Sequence, residues 1–126
     1  MLKSATLVAF VATADAGRAM AFYRDVLGLT LTADTPFALI FDAHGVTLRV
    51  QKVRKVVVSG YTALGWDVAD IAATVATLQG RGVVFERFEG LEQDRHAIWR
   101  TPDGSQVAWF RDPDGNLLSI GQHAKR

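Results

Sequence analysis

The sequence repeats itself once, and this internal repeat is the feature that most limits how the chain can fold. An apolar run over residues 5–12 precedes Asp15, and a similar run over residues 61–68 precedes Asp70. Asp is a favoured helix N-cap, and in both halves apolar residues follow it at helical spacing. Each half therefore predicts a strand followed by a helix, and the whole chain predicts two copies of one module.

A second correspondence closes each half. Residues 41–50 and 111–120 both place a Gly three positions after an Asp and then continue into an apolar strand. Asp-x-x-Gly is typical of a type I turn with Gly in the left-handed position, so each half predicts a closing hairpin. The second half also contains an extra segment, residues 90–104, whose Pro-Asp-Gly turn predicts a further hairpin or a flap.

The order of elements predicted for each module is strand, helix and three strands. We place the modules at residues 1–55 and 60–126 of one domain, with the second strand of the later module at residues 83–88. Neither module alone would cover both faces of its sheet, so we expect the two to fold together.

Composition excludes several classes of protein. The 126 residues include no cysteine, so disulfides, thiolate nucleophiles and Cys-based metal sites are excluded. Lys and Arg number 14 against 13 Asp and Glu, which gives no electrostatic reason to expect nucleic acid as a partner. No apolar run is long enough for a membrane span. Residues 1–14 loosely imitate a secretory signal, but they contain the predicted first strand, and we expect a cytoplasmic protein.

Three stretches of the chain resemble the vicinal oxygen chelate superfamily, which includes glyoxalase I, extradiol dioxygenases, fosfomycin-resistance enzymes and bleomycin-resistance binding proteins. They are DAGRAMAFYRDVLGL (15–29), DIAATVATLQGRGVVFE (70–86) and FRDPDGNLLSI (110–120). The resemblance implies an α+β fold of two tandem βαβββ modules whose sheets curve around one cleft. It also implies a small-molecule ligand and a homodimer. Many chemistries share this fold, so the resemblance alone does not select a reaction.

The resemblance also implies where a metal would bind, because metalloenzymes of the family place His or Glu on the first and last strands of each module. The matching positions here are Val8, Arg49, Ala63 and Ser119. Val and Ala have no donor atom, Ser is a poor ligand, and Arg is a fixed cation. We therefore expect neither a metal nor another cofactor at this place. No ligand spacing relates the three histidines of the chain, which are His44, His96 and His123.

Strand alternation assigns side chains to the cleft. If positions 8 and 63 face the cleft, Phe10 and Asp67 do so too, and Arg49 and Gln51 share that face with Ser119. The guanidinium of Arg49 would suit a carboxylate, a phosphate or an enolate. An alternative interpretation is that Arg49 pairs with Asp67 and only holds the two halves in register.

Two tryptophans flank the Pro102-Asp103-Gly104 turn. Trp99 precedes this turn and Trp109 follows it, so an aromatic hairpin could stack a planar ligand. The same hairpin could instead bury itself against the partner of a homodimer. Trp109 and Phe110 must point to opposite faces, so one of them is expected in the core.

These observations predict a metal-independent small-molecule binding protein of the glyoxalase/bleomycin-resistance type that sequesters a planar or aromatic ligand. The predicted ligand-binding residues are Phe10, Arg49, Gln51, Asp67, Trp99, Trp109 and Ser119. The alternative is a lyase or dioxygenase-like enzyme of the same superfamily, with displaced metal ligands or with acid/base chemistry run from Asp67. A third interpretation is a partner or sensor domain that needs no pocket ligand.

Overall fold

The computed structural model describes residues 1–124, and the chain divides into two compact units, Met1–Val58 and Ser59–Arg126. Each unit contains one four-stranded sheet and one main helical segment. The predicted α+β class and the two βαβββ modules are confirmed. Within residues 1–124, no helix is long and apolar enough to cross a bilayer.

The first unit begins with a short 3-10 turn at Leu2–Ser4 and then forms four strands and a helix. Its elements are β1 (Val8–Thr13), α1 (Ala16–Met20), β2 (Thr30–Asp34), β3 (Ala38–Ala43) and β4 (Val46–Lys52). Helix α1 continues directly into a π-helical turn at Ala21–Val26. The sheet order is β1-β4-β3-β2, and only the β1–β4 pair is parallel.

The second unit repeats this topology. Its elements are β5 (Leu64–Asp67), α2 (Ile71–Gly80), β6 (Trp99–Arg100), β7 (Gln106–Arg111) and β8 (Leu117–Gln122). The sheet order is β5-β8-β7-β6, again with the first and last strands paired in parallel. Register is repeated as well, because Phe10 lies opposite Arg49 just as Gly65 lies opposite Ser119. The repeat seen in the sequence is therefore also a repeat of strand register.

The predicted strand at residues 83–88 differs from the structure. Phe85 forms only an isolated bridge with Phe110, and the fourth strand of the sheet is the two-residue β6, which comes from the extra segment. Here the side chain of Gln93, and not a neighbouring strand, pairs with the backbone. Gln93 donates from Nε2 to the carbonyl of Glu86 at 2.9 Å, and its Oε1 accepts from the backbone N–H of Phe88 at 2.7 Å. These backbone groups are thus satisfied without a ladder.

The extra segment forms the hairpin that its Pro-Asp-Gly turn predicts. The backbone N–H of Thr101 donates to the carbonyl of Ser105 at 2.8 Å, and β6 pairs antiparallel with β7. Gly104 in this turn has a φ of 89°, a left-handed conformation that Gly adopts without steric cost.

Each sheet buries one face under the helix of its own unit. In the first unit, the ring of Tyr23 lies 5.9 Å from that of Phe41, and both residues are fully buried. In the second unit, the rings of Phe85 and Phe110 are 5.4 Å apart in the buried layer. The other buried strand residues on these faces are Val11, Leu39, Leu48, Val50, Ala108, Leu118 and Ile120. Because strand side chains alternate, the opposite face of each sheet is left open.

Both predicted N-caps are confirmed. Oδ1 of Asp15 accepts from the backbone N–H of Arg18 at 3.2 Å, and Oδ1 of Asp70 accepts from that of Ala73 at 3.1 Å. Helix α2 has a second cap from outside the helix, because Oε1 of Gln122 accepts from the N–H of Ile71 at 2.8 Å. Two of the N–H groups that a helix leaves unpaired in its first turn are thus satisfied by side chains.

We expect Asp70→Ala to lower the free energy of unfolding by about 1 kcal/mol, because the Ala73 N–H loses its acceptor. Urea unfolding followed by circular dichroism measures this change. Asp70→Asn keeps an oxygen at the same position and is expected to retain most of the stability. An equal loss in both variants would contradict a hydrogen-bonding role for this cap.

The first closing turn differs from its sequence prediction. A type I turn with only Gly left-handed was expected, but Ala43 pairs with Val46, so the loop contains only His44 and Gly45. Both loop residues have positive φ, 52° for His44 and 86° for Gly45. A two-residue loop of this kind matches the right-handed twist of its strands better than a type I turn does. The corresponding loop between Arg111 and Leu117 is longer.

The conformation of His44 makes a testable prediction about stability. Asn is favoured at this position of a two-residue loop before Gly, whereas a β-branched residue is strained at positive φ. We expect His44→Asn to raise the free energy of unfolding by about 0.5 kcal/mol and His44→Val to lower it by about 1 kcal/mol. Urea unfolding measures both changes in the free energy of unfolding. If His44→Val is more stable than His44→Asn, residue 44 does not have positive φ in this loop.

Candidate functional site

The first unit has an open sheet face opposite its core. Leu48 and Val50 on β4 are buried, whereas Arg49 between them is half-buried and Gln51 is exposed. Phe10 on β1 is 56% exposed and lies directly opposite Arg49. Three of the predicted site residues, Phe10, Arg49 and Gln51, therefore share this first open face.

Arg49 occupies the middle of the first open face. Its direct neighbours in register are Phe10 on β1 and Ile40 on β3, both apolar. Within residues 1–58, its guanidinium makes no hydrogen bond or ion pair. A guanidinium has five donors in a planar fork, so this half-buried cation has free capacity for an anionic or hydrogen-bonding group.

The second unit has a corresponding open face. The direct pairs across its sheet are Gly65 with Ser119, Ser119 with Trp109, and Asp67 with Gly121. Trp99 on β6 pairs with Val107, which itself pairs with Gly121. Four predicted site residues share this second open face, and they are Asp67, Trp99, Trp109 and Ser119.

Three aromatic side chains form a cluster in the second unit. The rings of Trp99 and Trp109 are stacked with centroids 6.1 Å apart and an interplanar angle of 29°. Phe88 meets Trp109 in a T-shaped contact at 5.3 Å. Nε1 of Trp109 donates to Oγ1 of Thr62 at 3.2 Å, which fixes the orientation of the indole. Both tryptophans are half-buried, so this aromatic cluster (Phe88, Trp99 and Trp109) presents a held, partly accessible flat surface.

The neighbours of Trp109 confirm that one residue of the Trp109–Phe110 pair is in the core. Phe110 is fully buried, whereas Trp109 lies on the open face. Trp66 lies opposite the buried Ile120, on the helix-covered face, and is half-buried.

Gly65 leaves the hydroxyl of Ser119 uncovered. A Cβ placed on Gly65 would lie 2.6 Å from Oγ of Ser119, far inside normal contact distance. The glycine therefore keeps space beside this hydroxyl, which can both donate and accept a hydrogen bond.

Asp67 has a partner in its own unit. One of its carboxylate oxygens, Oδ2, lies 3.5 Å from Nε2 of His123, and its side chain is 63% exposed. The carboxyl of Asp67 is therefore exposed and lies beside an imidazole.

A depression of about 490 Å³ lies between the turn after β6 and the end of β8. Its lining residues include Asp103, Val107, Gly121 and His123, and most of the lining surface is apolar. The hydroxyl of Thr101 and the backbone N–H of Ser105 donate to the carboxylate of Asp103 and hold the pKa of that carboxyl below its usual range. We call this the hairpin depression.

Sequence reasoning missed three parts of the second open face. Phe88 had a signal, because alternation over residues 83–88 puts it on the same side as Val84 and Glu86, away from the buried Phe85. Thr62 had none, because a single hydroxyl before a short strand is not distinctive. The hairpin depression could not be foreseen either, since it depends on how the chain returns after β6.

The four positions where a family metal would bind do not fit a divalent ion. Val8 lies on the first open face and Ala63 just before β5, and neither side chain has a donor atom. Arg49 and Ser119 complete the set with a cation and a neutral hydroxyl. Across residues 1–124, no group of three His, Asp or Glu side chains is placed to hold a metal. The donor chemistry required for such a site is missing.

Comparison with known proteins identifies one family. The model of the Glyoxalase/Bleomycin resistance protein/Dioxygenase superfamily matches residues 5–120. A search of curated proteins finds no significant match.

Solved structures of the same superfamily resemble the chain over almost its full length. A superfamily member from Sphaerobacter thermophilus is 24% identical with a TM-score of 0.76, covering 98% of this chain and 100% of the other. TnmS3, an antibiotic-binding protein from a Streptomyces species, is 26% identical with a TM-score of 0.70, covering 98% and 99%. A lactoylglutathione lyase from Agrobacterium tumefaciens is 21% identical with a TM-score of 0.73, covering 94% and 93%.

The family model spans nearly the whole sequence, and the repeated βαβββ topology agrees with it. The chain belongs to the Glyoxalase/Bleomycin resistance protein/Dioxygenase superfamily.

Proposed function

We propose that the chain binds and sequesters a small organic molecule with a planar aromatic portion, and that it does so without a metal ion. The observation that carries this proposal is the stacked pair of Trp99 and Trp109 on an open sheet face. Large aromatic side chains that stay half-exposed and are fixed by neighbours lose little conformational freedom when a ring stacks on them.

The other predicted residues supply distinct contacts in this proposal. On the first open face, Arg49 offers a cation to an anionic group, and Phe10 beside it offers an apolar ring. Gln51 on that face, and Ser119 on the second open face, each offer hydrogen-bonding groups. This division follows the common pattern of small-molecule sites, in which apolar surface gives affinity and a few polar groups give orientation.

One similar solved structure supports binding as the function. TnmS3 is an antibiotic-binding protein and has the same fold at 26% identity. The donor chemistry supports independence from metal, since Val8 and Ala63, which have no donor atom, are at two of the four positions where the family resemblance implies a ligand.

An enzyme of the same superfamily is the second candidate. One observation favours it, the contact of 3.5 Å between Asp67 and His123, because a carboxylate beside an imidazole can move protons. If this candidate is correct, Asp67→Asn abolishes turnover of a bound ligand, and chemical analysis of the ligand after incubation detects a product. Under the binding proposal, the ligand is recovered unchanged.

We expect Trp99→Ala to weaken the binding of a planar aromatic probe such as naphthalene-2-carboxylate by about 10-fold, because its stacking surface is removed. Isothermal titration calorimetry measures the affinity. Trp66→Phe is the matched control, since Trp66 lies on the opposite, helix-covered face, and the affinity is expected to stay the same.

The same titration tests independence from metal. With EDTA present, the affinity of the probe is expected to be unchanged, and elemental analysis of protein purified without chelators should find no stoichiometric Ni, Zn, Mn or Fe. Stoichiometric metal, or loss of binding in EDTA, would show that the chain assembles ligands other than those at the four family positions.

We expect Arg49→Met to weaken the binding of naphthalene-2-carboxylate by about 5-fold while leaving its neutral methyl ester unaffected. Arg49→Lys keeps the charge and is expected to retain part of the preference for the acid. If the acid and the ester lose affinity equally in Arg49→Met, the residue contributes packing and does not recognise an anion.

A further inference from the structure

We infer that Gln93 is a positioning residue, which sets the arrangement of the aromatic cluster and, through that arrangement, the affinity for a planar ring. This inference rests on the proposed function, because it concerns the surface on which the ring stacks. Gln93 acts here through Phe88 and Trp99, and a contact between Gln93 and the bound molecule is not required.

The rings of the aromatic cluster come from three separate segments of the chain. Trp109 is on β7, Trp99 is on the two-residue edge strand β6, and Phe88 is in the loop after the isolated bridge at Phe85. The ring of Trp109 contacts both other rings, at 5.3 Å for Phe88 and 6.1 Å for Trp99. Because β6 is so short and residues 86–88 lie outside any strand, the sheet alone holds two of these segments weakly.

The side-chain amide of Gln93 connects the two weakly held segments. Its Oε1 accepts from the backbone N–H of Phe88 at 2.7 Å. Its Nε2 donates to the carbonyl of Glu86 at 2.9 Å and to the carbonyl of Ala97 at 2.9 Å. The amide NH₂ has two donors, and both are used on backbone carbonyls. The backbone of Gln93 also forms an isolated antiparallel bridge with Trp99.

A path of hydrogen bonds thereby joins the backbones of the two tryptophans. The N–H of Glu86 donates to the carbonyl of Trp109 at 2.8 Å, and the carbonyl of Glu86 accepts from Gln93. The same Gln93 amide reaches the carbonyl of Ala97, two residues before Trp99. Gln93 therefore ties the segment beside Trp109 to the segment that leads into Trp99.

The conformation of Ala97 makes this connection specific. Ala97 is 4% exposed and has a φ of 62°, a left-handed conformation that is uncommon for a residue other than Gly. Such a conformation persists only where surrounding contacts fix it. Loss of the Gln93 amide removes the donor from a buried carbonyl, so we expect the backbone before Trp99 to relax.

The test compares Gln93→Glu with the wild-type chain. Glu has the length of Gln and keeps an acceptor for the N–H of Phe88, but its carboxylate has no donor for the carbonyls of Glu86 and Ala97. We expect the affinity for the methyl ester of naphthalene-2-carboxylate to fall by about 10-fold, as it does when the Trp99 ring is removed. Isothermal titration calorimetry measures it, and the uncharged ester keeps the added charge from acting on the probe directly.

Circular dichroism reports the arrangement of the rings without any ligand. Two indoles stacked at 6.1 Å couple and give an exciton couplet, which Trp99→Ala is expected to abolish and Trp66→Phe to keep. We expect Gln93→Glu to lose most of this couplet although its thermal unfolding stays cooperative. A residue that contributes only to stability does not change this signal in the folded protein.

Two further variants serve as control and as replicate. Asp70→Ala lowers the stability of the same unit through a helix cap and leaves the aromatic cluster untouched, so its couplet and its affinity are expected to match the wild type. Gln93→Met has a similar length, adds no charge and loses the same hydrogen bonds. It is expected to reproduce the effects of Gln93→Glu.

The outcomes separate this inference from the proposed function. If Trp99→Ala weakens binding but both Gln93 variants keep the couplet and the affinity, the ring site stands and the positioning role is wrong. The positioning role is also wrong if Asp70→Ala weakens binding as much as the Gln93 variants do. If the Gln93 variants lose the couplet and neither they nor Trp99→Ala bind the ester more weakly, the proposed function is wrong.

Discussion

The parallel pairing of the first and last strands of each unit is the interaction on which the rest of the structure depends. β1 lies beside β4 and β5 beside β8, so the first and second strands of each unit are at opposite edges of the sheet, and the helix between them crosses one face. The helix then covers one face, where the apolar side chains collect. Everything that could recognise a ligand is consequently on the other face, and the alternation of β4 and β8 decides which residues those are. Arg49 and Ser119 occupy equivalent places for this reason.

The sequence alone could predict the features that depend on hydrophobic periodicity and on helix capping. The repeat, the caps at Asp15 and Asp70 and the shared face of Phe10, Arg49 and Gln51 all follow from local rules that the structure obeys. The second strand of the later module could not be predicted, because Gln93 satisfies the backbone there through its side chain. A side chain that replaces a strand partner in this way depends on a contact between neighbouring loops, and the periodicity of the sequence does not predict such a contact.

The candidate site also has parts that the sequence could predict and parts that it could not. Alternation predicted that Trp109 and Phe110 face opposite sides of the sheet. Which of the two is in the core, the stacking of Trp99 on Trp109, and the support from Thr62 and Phe88 depend on the geometry of the returning segment. The two units share one topology but differ on their open faces. The first has a cation between apolar neighbours, whereas the second has a two-residue edge strand and a stacked pair of tryptophans.

The hydrogen bond from Ile71 to Gln122 joins two parts of the second unit that are 51 residues apart in the chain. The amide of Gln122 extends from the last residue of β8 and satisfies an N–H in the first turn of α2. A change at Gln122 therefore leaves this N–H without its acceptor, at a cost of about 1 kcal/mol. The start of the helix thus depends on the end of the strand, and the two elements are expected to unfold together.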